Sequence, residues 1–334
     1  MNPCFVTVPT DSAAGTFDEF LTHYMFPYNM NVDDTVKAIK DMEIRGAGRI
    51  ARAAAAALAD LISSKEWKDI QAMRKDVIDA KSKLVGSRPT AVSLLNAVQY
   101  TLKGLDGCGN VKDAKALITK NSGDFIKASN EAVSKIGVIG SRRIKDGATI
   151  MTHCNSSVAL ECIKEAHRSG KKVKVYATES RPWRQGILTV NELAKEGMDV
   201  TLIIDSAVRT VMKKVDIVLV GADTITSNGA VINKIGTSQL ALAAYESHVP
   251  FVVCSETYKI SPQTLFGDMV TIEERDTGEI VKKDEIMSSV KVFNPVFDST
   301  PSRYIDGIVT EIGIVSPGSV YEIMMRQFGD ITFN

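Results

Sequence analysis

Histidine is sparse in this chain, its cysteines follow no pairing pattern, and no apolar run is long. The four histidines, His23, His153, His167 and His248, lie scattered through 334 residues, which argues against a structural zinc site. The five cysteines, Cys4, Cys108, Cys154, Cys162 and Cys254, form no Cys-x-x-Cys pair. An odd count without a framework indicates free thiols in a reducing compartment. No apolar stretch approaches the roughly 18–20 residues of a membrane span. The start, Met1-Asn2-Pro3-Cys4-Phe5-Val6, lacks the basic-then-apolar order of a signal peptide. A cytoplasmic protein off the membrane is therefore expected. Charge of either sign is also not in excess, with 40 basic and 40 acidic residues, which disfavours a general nucleic-acid binder. What remains is an ordinary globular composition, 44% hydrophobic and 24% charged, on a chain long enough for one large core or two.

The texture changes part-way along. The first thirty residues read as an irregular extension leading into a helix near Phe17–His23. From Val32 to about Lys135 the pattern is helical: a helix capped within Asp33-Asp34-Thr35 and running to Met42, the alanine-rich run Ile50–Leu58, then Asp69–Lys83, Ala91–Leu102 and a long helix from Val111. Turns are expected at Gly86–Pro89 and Gly104–Gly109. After Gly137 short β-branched runs alternate with helical segments: strands at Thr149–Thr152, Lys172–Ala177, Asp199–Ile204, Ile217–Val220 and Pro250–Cys254, and helices at 156–168, 190–196, 205–213 and 236–247. That rhythm predicts an α/β protein, with an N-terminal extension and helical domain (1–140) followed by a Rossmann-like parallel-sheet domain (141–334).

Two strand ends carry the chemistry. Cys154, in Thr152-His153-Cys154-Asn155-Ser156, follows one buried strand; Asp223, in Gly221-Ala222-Asp223, follows another. Ligands of open parallel sheets bind at the C-terminal strand ends, so the two side chains are expected in one crevice as a base–acid pair. Ser156 or Asn155 suits the cap of the helix after Cys154, whose free N–H groups favour an anion and a lowered thiol pKa. Burial is expected to push Asp223 towards its neutral form. The same residues read equally as a small buried thiol beside a cap and a loop-bracing acid. Asn233 and Lys234 precede the 236–247 helix, and Lys259 follows the Pro250–Cys254 strand, so a hydroxyl contact and two phosphate charges are candidates; solvated surface lysines are the alternative. Arg45-Gly46-Ala47-Gly48 offers exposed backbone N–H groups beside a guanidinium, and Arg88, before Pro89, is biased to extended geometry.

Taken in order, these stretches, with Glu256-Thr257-Tyr258-Lys259 and Asn294–Pro301, resemble the superfamily that holds aldose-phosphate isomerases and the alpha, beta and delta subunits of translation initiation factor 2B. The similarity runs from about residue 30 onward. It implies Cys154 as proton acceptor, Asp223 as proton donor, and substrate contacts from Arg45, Gly46, Ala47, Gly48, Arg88, Asn233, Lys234 and Lys259, with Ser156 a further contact. The translation-factor subunits usually lack this cysteine and aspartate, so retaining both favours catalysis. Ala230-Val231-Ile232 and the C-terminal segment resemble the archaeal branch acting on ribose 1,5-bisphosphate. A methylthioribose-1-phosphate isomerase and a non-catalytic regulatory subunit stay open. Glu179-Ser180-Arg181-Pro182 carries Ser where many of the isomerases have Thr. The implied reaction converts α-D-ribose 1,5-bisphosphate to ribulose 1,5-bisphosphate in AMP breakdown, needs no metal or organic cofactor, and belongs to a dimer-based homo-oligomer, a hexamer by resemblance.

Overall fold

The structure, a computed structural model, describes residues 30–264, 270, 272–282 and 284–328. The expected helix near Phe17–His23 lies outside them. Five helices come first: α1 (Val32–Lys40), α2 (Ala47–Ser64), α3 (Ile70–Ser87), α4 (Val92–Leu102) and α5 (Val111–Ser141). Asn31, Asp69 and Asn110 begin three of them, each side chain accepting a backbone N–H three residues on. The cap of α1 is thus Asn31 rather than a residue of Asp33–Thr35, and Asp33 and Asp34 sit in its first turn, where the helix dipole favours carboxylates. Helix α3 continues through Gly86 to Ser87, so the expected turn begins only at Arg88, whose backbone is extended (φ −155°) ahead of Pro89.

Helix α2 is the centre of this layer. Ala51 and Ala53 to Ala57 are all buried, some against Ala97, Phe125 and Ile126, others with Ile50 and Leu58 against Val32, Ile39, Leu84 and Leu94. Small side chains all round let neighbouring helices approach on every face. Helix α5 departs from the sequence reading, because it runs past Gly137 and Gly140 to Ser141. These glycines make room instead of breaking the helix. A Cβ at Gly137 would lie 2.7 Å from Glu161 Cγ, and one at Gly140 would overlap Cys162. Gly140→Ala gains about 0.5–1 kcal/mol of helix propensity but overpacks a buried contact at about 1–3 kcal/mol. A lower midpoint of denaturant unfolding is expected, and an unchanged or raised midpoint would refute the packing role.

The second part is the expected α/β layer. Strands β1 (Thr149–Thr152), β2 (Lys174–Thr178), β3 (Asp199–Ile203), β4 (Ile217–Val220), β7 (Phe251–Cys254), β9 (Gly307–Thr310) and β10 (Gly313–Val315) form one sheet in the order β10-β9-β7-β4-β1-β2-β3. All pairs are parallel except β10 on β9. Successive residues face opposite layers. Ile217 and Leu219 pack with α6 (Ser157–Arg168) and the end of α5, while Val218 and Val220 pack with α9 (Thr237–Glu246) and α10 (Val320–Phe328). Helix α7 (Gln185–Lys195) starts earlier than expected, and the segment predicted as one helix at 205–213 is a short α8 (Val208–Val211) between two 3-10 turns.

A second, antiparallel sheet was not legible in the periodicity: β5 (Thr224–Ile225), β6 (Val231–Lys234) and β8 (Phe297–Thr300), with β6 central. Its hairpin turns at Asn228-Gly229, where Gly229 takes φ +78° hard against Pro317. Among the described residues, no helix is long and apolar enough to cross a membrane, and Cys108, Cys154, Cys162 and Cys254 are free thiols.

Candidate active site

Strand order locates the crevice. From β1 the chain moves outward through β2 and β3, then returns to β4 on the other side of β1 and continues through β7 and β9. β1 and β4 are therefore the neighbours where the winding reverses, the place at which open sheets bind ligands. Cys154 lies just beyond β1 and Asp223 just beyond β4. The two loops touch, because Gly221 has no Cβ; one there would overlap the side chain of Ser156. Ser156 caps α6 through Ala159 N at 3.4 Å.

The backbone of Cys154 is held on both sides. Cys154 has φ +66°, in the left-handed region that a β-carbon disfavours. Its N–H donates to Ser180 Oγ at 2.7 Å, and its carbonyl accepts from Thr189 Oγ1 at 2.7 Å. Ser180 is fixed in turn by Asp205, whose carboxylate accepts from Ser180 N and Arg181 N, both at 2.8 Å. Buried His153 bridges Thr178 Oγ1 (2.6 Å) and the Ile235 carbonyl (2.8 Å). A carbonyl only accepts, so Nε2 carries the proton, and burial holds the ring below its usual pKa. Ser180, Thr189 and Asp205 were missed as site residues. Ser180 had entered only as a one-methyl difference, and nothing in local sequence joins 154 to 180, 189 and 205.

The electrostatics correct one expectation. Burial pushes the Cys154 thiol up to about 11; Lys234 pulls it down but does not overcome the lost hydration, while Asp223 and Asp205 push it further up. Cys154 lies ahead of the Ser156 cap, and the expected lowering at a helix start does not prevail there.

Lys234 is buried, and among the described residues its ammonium has no hydrogen-bond or ion-pair partner; it lies over the Phe297 ring at 5.3 Å. Burial pushes its pKa down, Cys154 and Asp223 push back, and Arg275 and Arg88 lower it further. Arg88 stacks on the same ring at 5.7 Å and meets Glu273 at 3.5 Å. Arg275, not singled out in the sequence, shares Glu273 at 3.1 Å and faces Trp183, as does Arg45 at 5.4 Å. Ala47, Arg88, Thr90, Asp223 and Phe297 line one pocket. Gly46 is the N-cap of α2 with no side-chain cap, leaving the N–H groups of the first turn, Ala47 and Gly48 included, free for an anion.

Two predicted contacts have other duties. Asn233 donates to Thr237 Oγ1 at 3.0 Å, bracing α9. Lys259 is not a free phosphate charge: it pairs with Glu256 at 2.7 Å and donates to the Ala222 carbonyl at 2.9 Å. Burial next to a strand end brought it a carboxylate from its own turn. Asp298, opposite Asn233 across β6 and β8, accepts from Gly236 N and Ser238 N; burial raises its pKa to about 6.

Residues 43–317 match the model of the Initiation factor 2 subunit family. The chain belongs to that family. Within it, the chain is 47% identical over 298 residues to the ribose 1,5-bisphosphate isomerase of Methanocaldococcus jannaschii, covering 89% of this chain and 96% of that one. It is 38% identical over 296 residues to the methylthioribose-1-phosphate isomerase of Thermosipho africanus, covering 84% and 85%. The fold is similar to a crystal structure of a Pyrococcus horikoshii translation initiation factor eIF-2B, with TM-score 0.75, 33% identity and coverage of 86% and 97%. The family thus spans isomerases and a translation factor on one architecture.

Proposed function

We propose that the chain is an aldose–ketose isomerase converting α-D-ribose 1,5-bisphosphate to ribulose 1,5-bisphosphate. The observation that carries this is buried Lys234, whose ammonium makes no ion pair or hydrogen bond among the described residues, beside Cys154 and Asp223 at the β1/β4 reversal. A buried charge is costly unless paired, and here an anionic ligand supplies the partner. Two phosphates carry up to about four negative charges. Arg45, Arg88, Arg275 and Lys234 are proposed to meet them: Arg88 and Lys234 share the Phe297 ring, Arg88 and Arg275 share Glu273, and Arg45 and Arg275 share Trp183. Arg275 takes the place that the sequence reading had given Lys259.

The phosphate on C1 prevents the ring from opening to a free aldehyde. In the proposed reaction Asp223 protonates the ring oxygen as its bond to C1 breaks, and the Cys154 thiolate accepts the C2 proton, leaving a C1–C2 enol. Cys154 then returns a proton to C1 while the C2 hydroxyl proton passes to Asp223, so both groups end as they began. Ser156, Asn233 and the Gly46–Gly48 backbone are proposed to hold hydroxyl and phosphate oxygens, and Lys259 to prop the Asp223 loop.

Ribose 1,5-bisphosphate and methylthioribose 1-phosphate, offered side by side with product detected as the ketose, test this reading. Turnover of the first is expected; turnover of the second alone, or of neither, would overturn it. In deuterated water, solvent deuterium appearing at C1 would support proton transfer through Cys154, whereas full retention of the C2 hydrogen fits either a hydride shift or internal return of the same proton by the thiol, which the turnover of Cys154→Ser then separates. Lys234→Met removes a charge-assisted phosphate contact of about 1.5–3 kcal/mol, so KM should rise about 10- to 100-fold. An unchanged KM would remove Lys234 from the phosphate site. We further propose a homo-oligomer built of dimers and completed as a hexamer, carried by the family resemblance and tested by the mass from light scattering.

A further inference from the structure

Hydrogen bonds and one ion pair link the start of α2 to the residue before Asp223. Arg52 on α2 donates to Ser129 Oγ on α5 at 3.1 Å, and Ser129 lies 3.0 Å from the Tyr258 hydroxyl. Tyr258 donates to Glu256 Oε1 at 3.0 Å. Glu256 Oε2 meets Lys259 Nζ at 2.7 Å, and Lys259 donates to the carbonyl of Ala222, the residue before Asp223. With the Tyr258 proton aimed at Glu256, the Ser129 hydroxyl donates to Tyr258, so the protons of the Arg52–Ser129–Tyr258 arm all point towards one fully buried carboxylate. The start of α2 rests on the same groups: a Cβ at Gly48 would lie 3.0 Å from the Tyr258 oxygen and 3.3 Å from Glu256 Oε1.

We propose that Glu256 is a positioning residue that sets the phosphate-facing start of α2 and the Asp223 loop in one register, through Tyr258 on one side and Lys259 on the other. A buried carboxylate is retained at such a place only if both oxygens are engaged, and here each oxygen serves a different half of the site. Its charge is stable there: burial pushes the Glu256 carboxyl up, but Lys259 and the Tyr258 hydroxyl outweigh that and hold it below the usual range. A glutamine has the same shape but no charge: with its carbonyl on Lys259, its N–H₂ meets the Tyr258 hydroxyl, which must turn its proton to Ser129, and Lys259 is left without a counter-charge.

Glu256→Gln and Tyr258→Phe separate the two arms. In Glu256→Gln, amide hydrogen exchange should accelerate in peptides covering 47–56 and 221–226 and nowhere else, and kcat should fall about 10- to 100-fold, as small misplacements do. The loss should fall on kcat more than on KM, because Lys259 loses the carboxylate that holds it under the Ala222 carbonyl while the phosphate contacts stay in place. Tyr258→Phe should accelerate exchange at 47–56 alone and raise KM more than it lowers kcat; this variant carries the test if the glutamine protein does not fold. Unchanged exchange at both segments, acceleration spread over the whole chain, or near-wild-type kcat in Glu256→Gln would each overturn the proposal. The kinetic arm rests on the isomerase reading and the exchange arm does not. A wild-type protein inactive on the sugar would sink that reading and leave exchange to decide this one.

Discussion

Cys154→Ser is expected to lower kcat for ribose 1,5-bisphosphate by about 10²–10⁴-fold, the usual worth of a positioned base. Substrate affinity should stay close to wild type, because the phosphate contacts come from other elements. The loop should also survive, since its clamps from Ser180 and Thr189 hold the backbone of residue 154 and not its side chain. A serine hydroxyl ionises far above a thiol, so no base remains in any accessible range. The burial of the thiol gives this prediction a second edge. With a pKa of about 11, only about one free enzyme in 10⁴ carries the thiolate at pH 7. The deprotonated form is the active one, so kcat/KM, which reports the free enzyme, should climb through neutral pH and keep climbing into the alkaline range. Profiles measured for wild type and Cys154→Ser check both halves. A serine enzyme with near-wild-type turnover, or a wild-type profile flat from pH 7 to 9, would remove Cys154 from the proton path.

Asp223→Asn should be nearly as damaging, with kcat down by about 10²–10³-fold, a range set by the loss of one positioned acid. An amide is close to the carboxyl in shape, and the Asp223 backbone bond to the Ile232 carbonyl at 2.9 Å does not depend on the side chain, so the loop should keep its place. What is lost is the ability to give a proton to the ring oxygen and later take one from the C2 hydroxyl. Because the acid is needed before the enol can form, substrate recovered unreacted from deuterated water should carry no solvent deuterium at C2. Asparagine enzyme with wild-type turnover would show that the ring oxygen is protonated from elsewhere.

The parallel sheet was legible because β4 and β7 are short and apolar throughout, and because strand and helix periods differ. The positions of Cys154 and Asp223 followed from one topological rule applied to two strand ends. The β5-β6-β8 sheet was not legible: β5 has two residues, and β6 is buried throughout, so neither alternates. The ion pair of Lys259 and the placement of Arg275 were not legible for a related reason. Whether a lysine near a strand end is free or paired depends on side chains such as Glu256, and whether Arg275 reaches the crevice depends on a loop whose path no local pattern encodes. Likewise a glycine in a helical window signals an ending unless a partner helix needs the space, and Glu161 and Cys162 were invisible from Gly137 and Gly140.

That partner contact has a mechanical consequence. Helix α5 is 31 residues, about 46 Å at the helical rise, and its first half packs in the helical layer while its last turns lie on α6 of the sheet layer. A continuous helix shared by both layers acts as a strut and leaves no pivot near residue 140. The width of the crevice is then fixed when the chain folds, and a sugar bisphosphate enters a mouth whose adjustable rims are loops such as those carrying Arg45, Trp183 and Arg275.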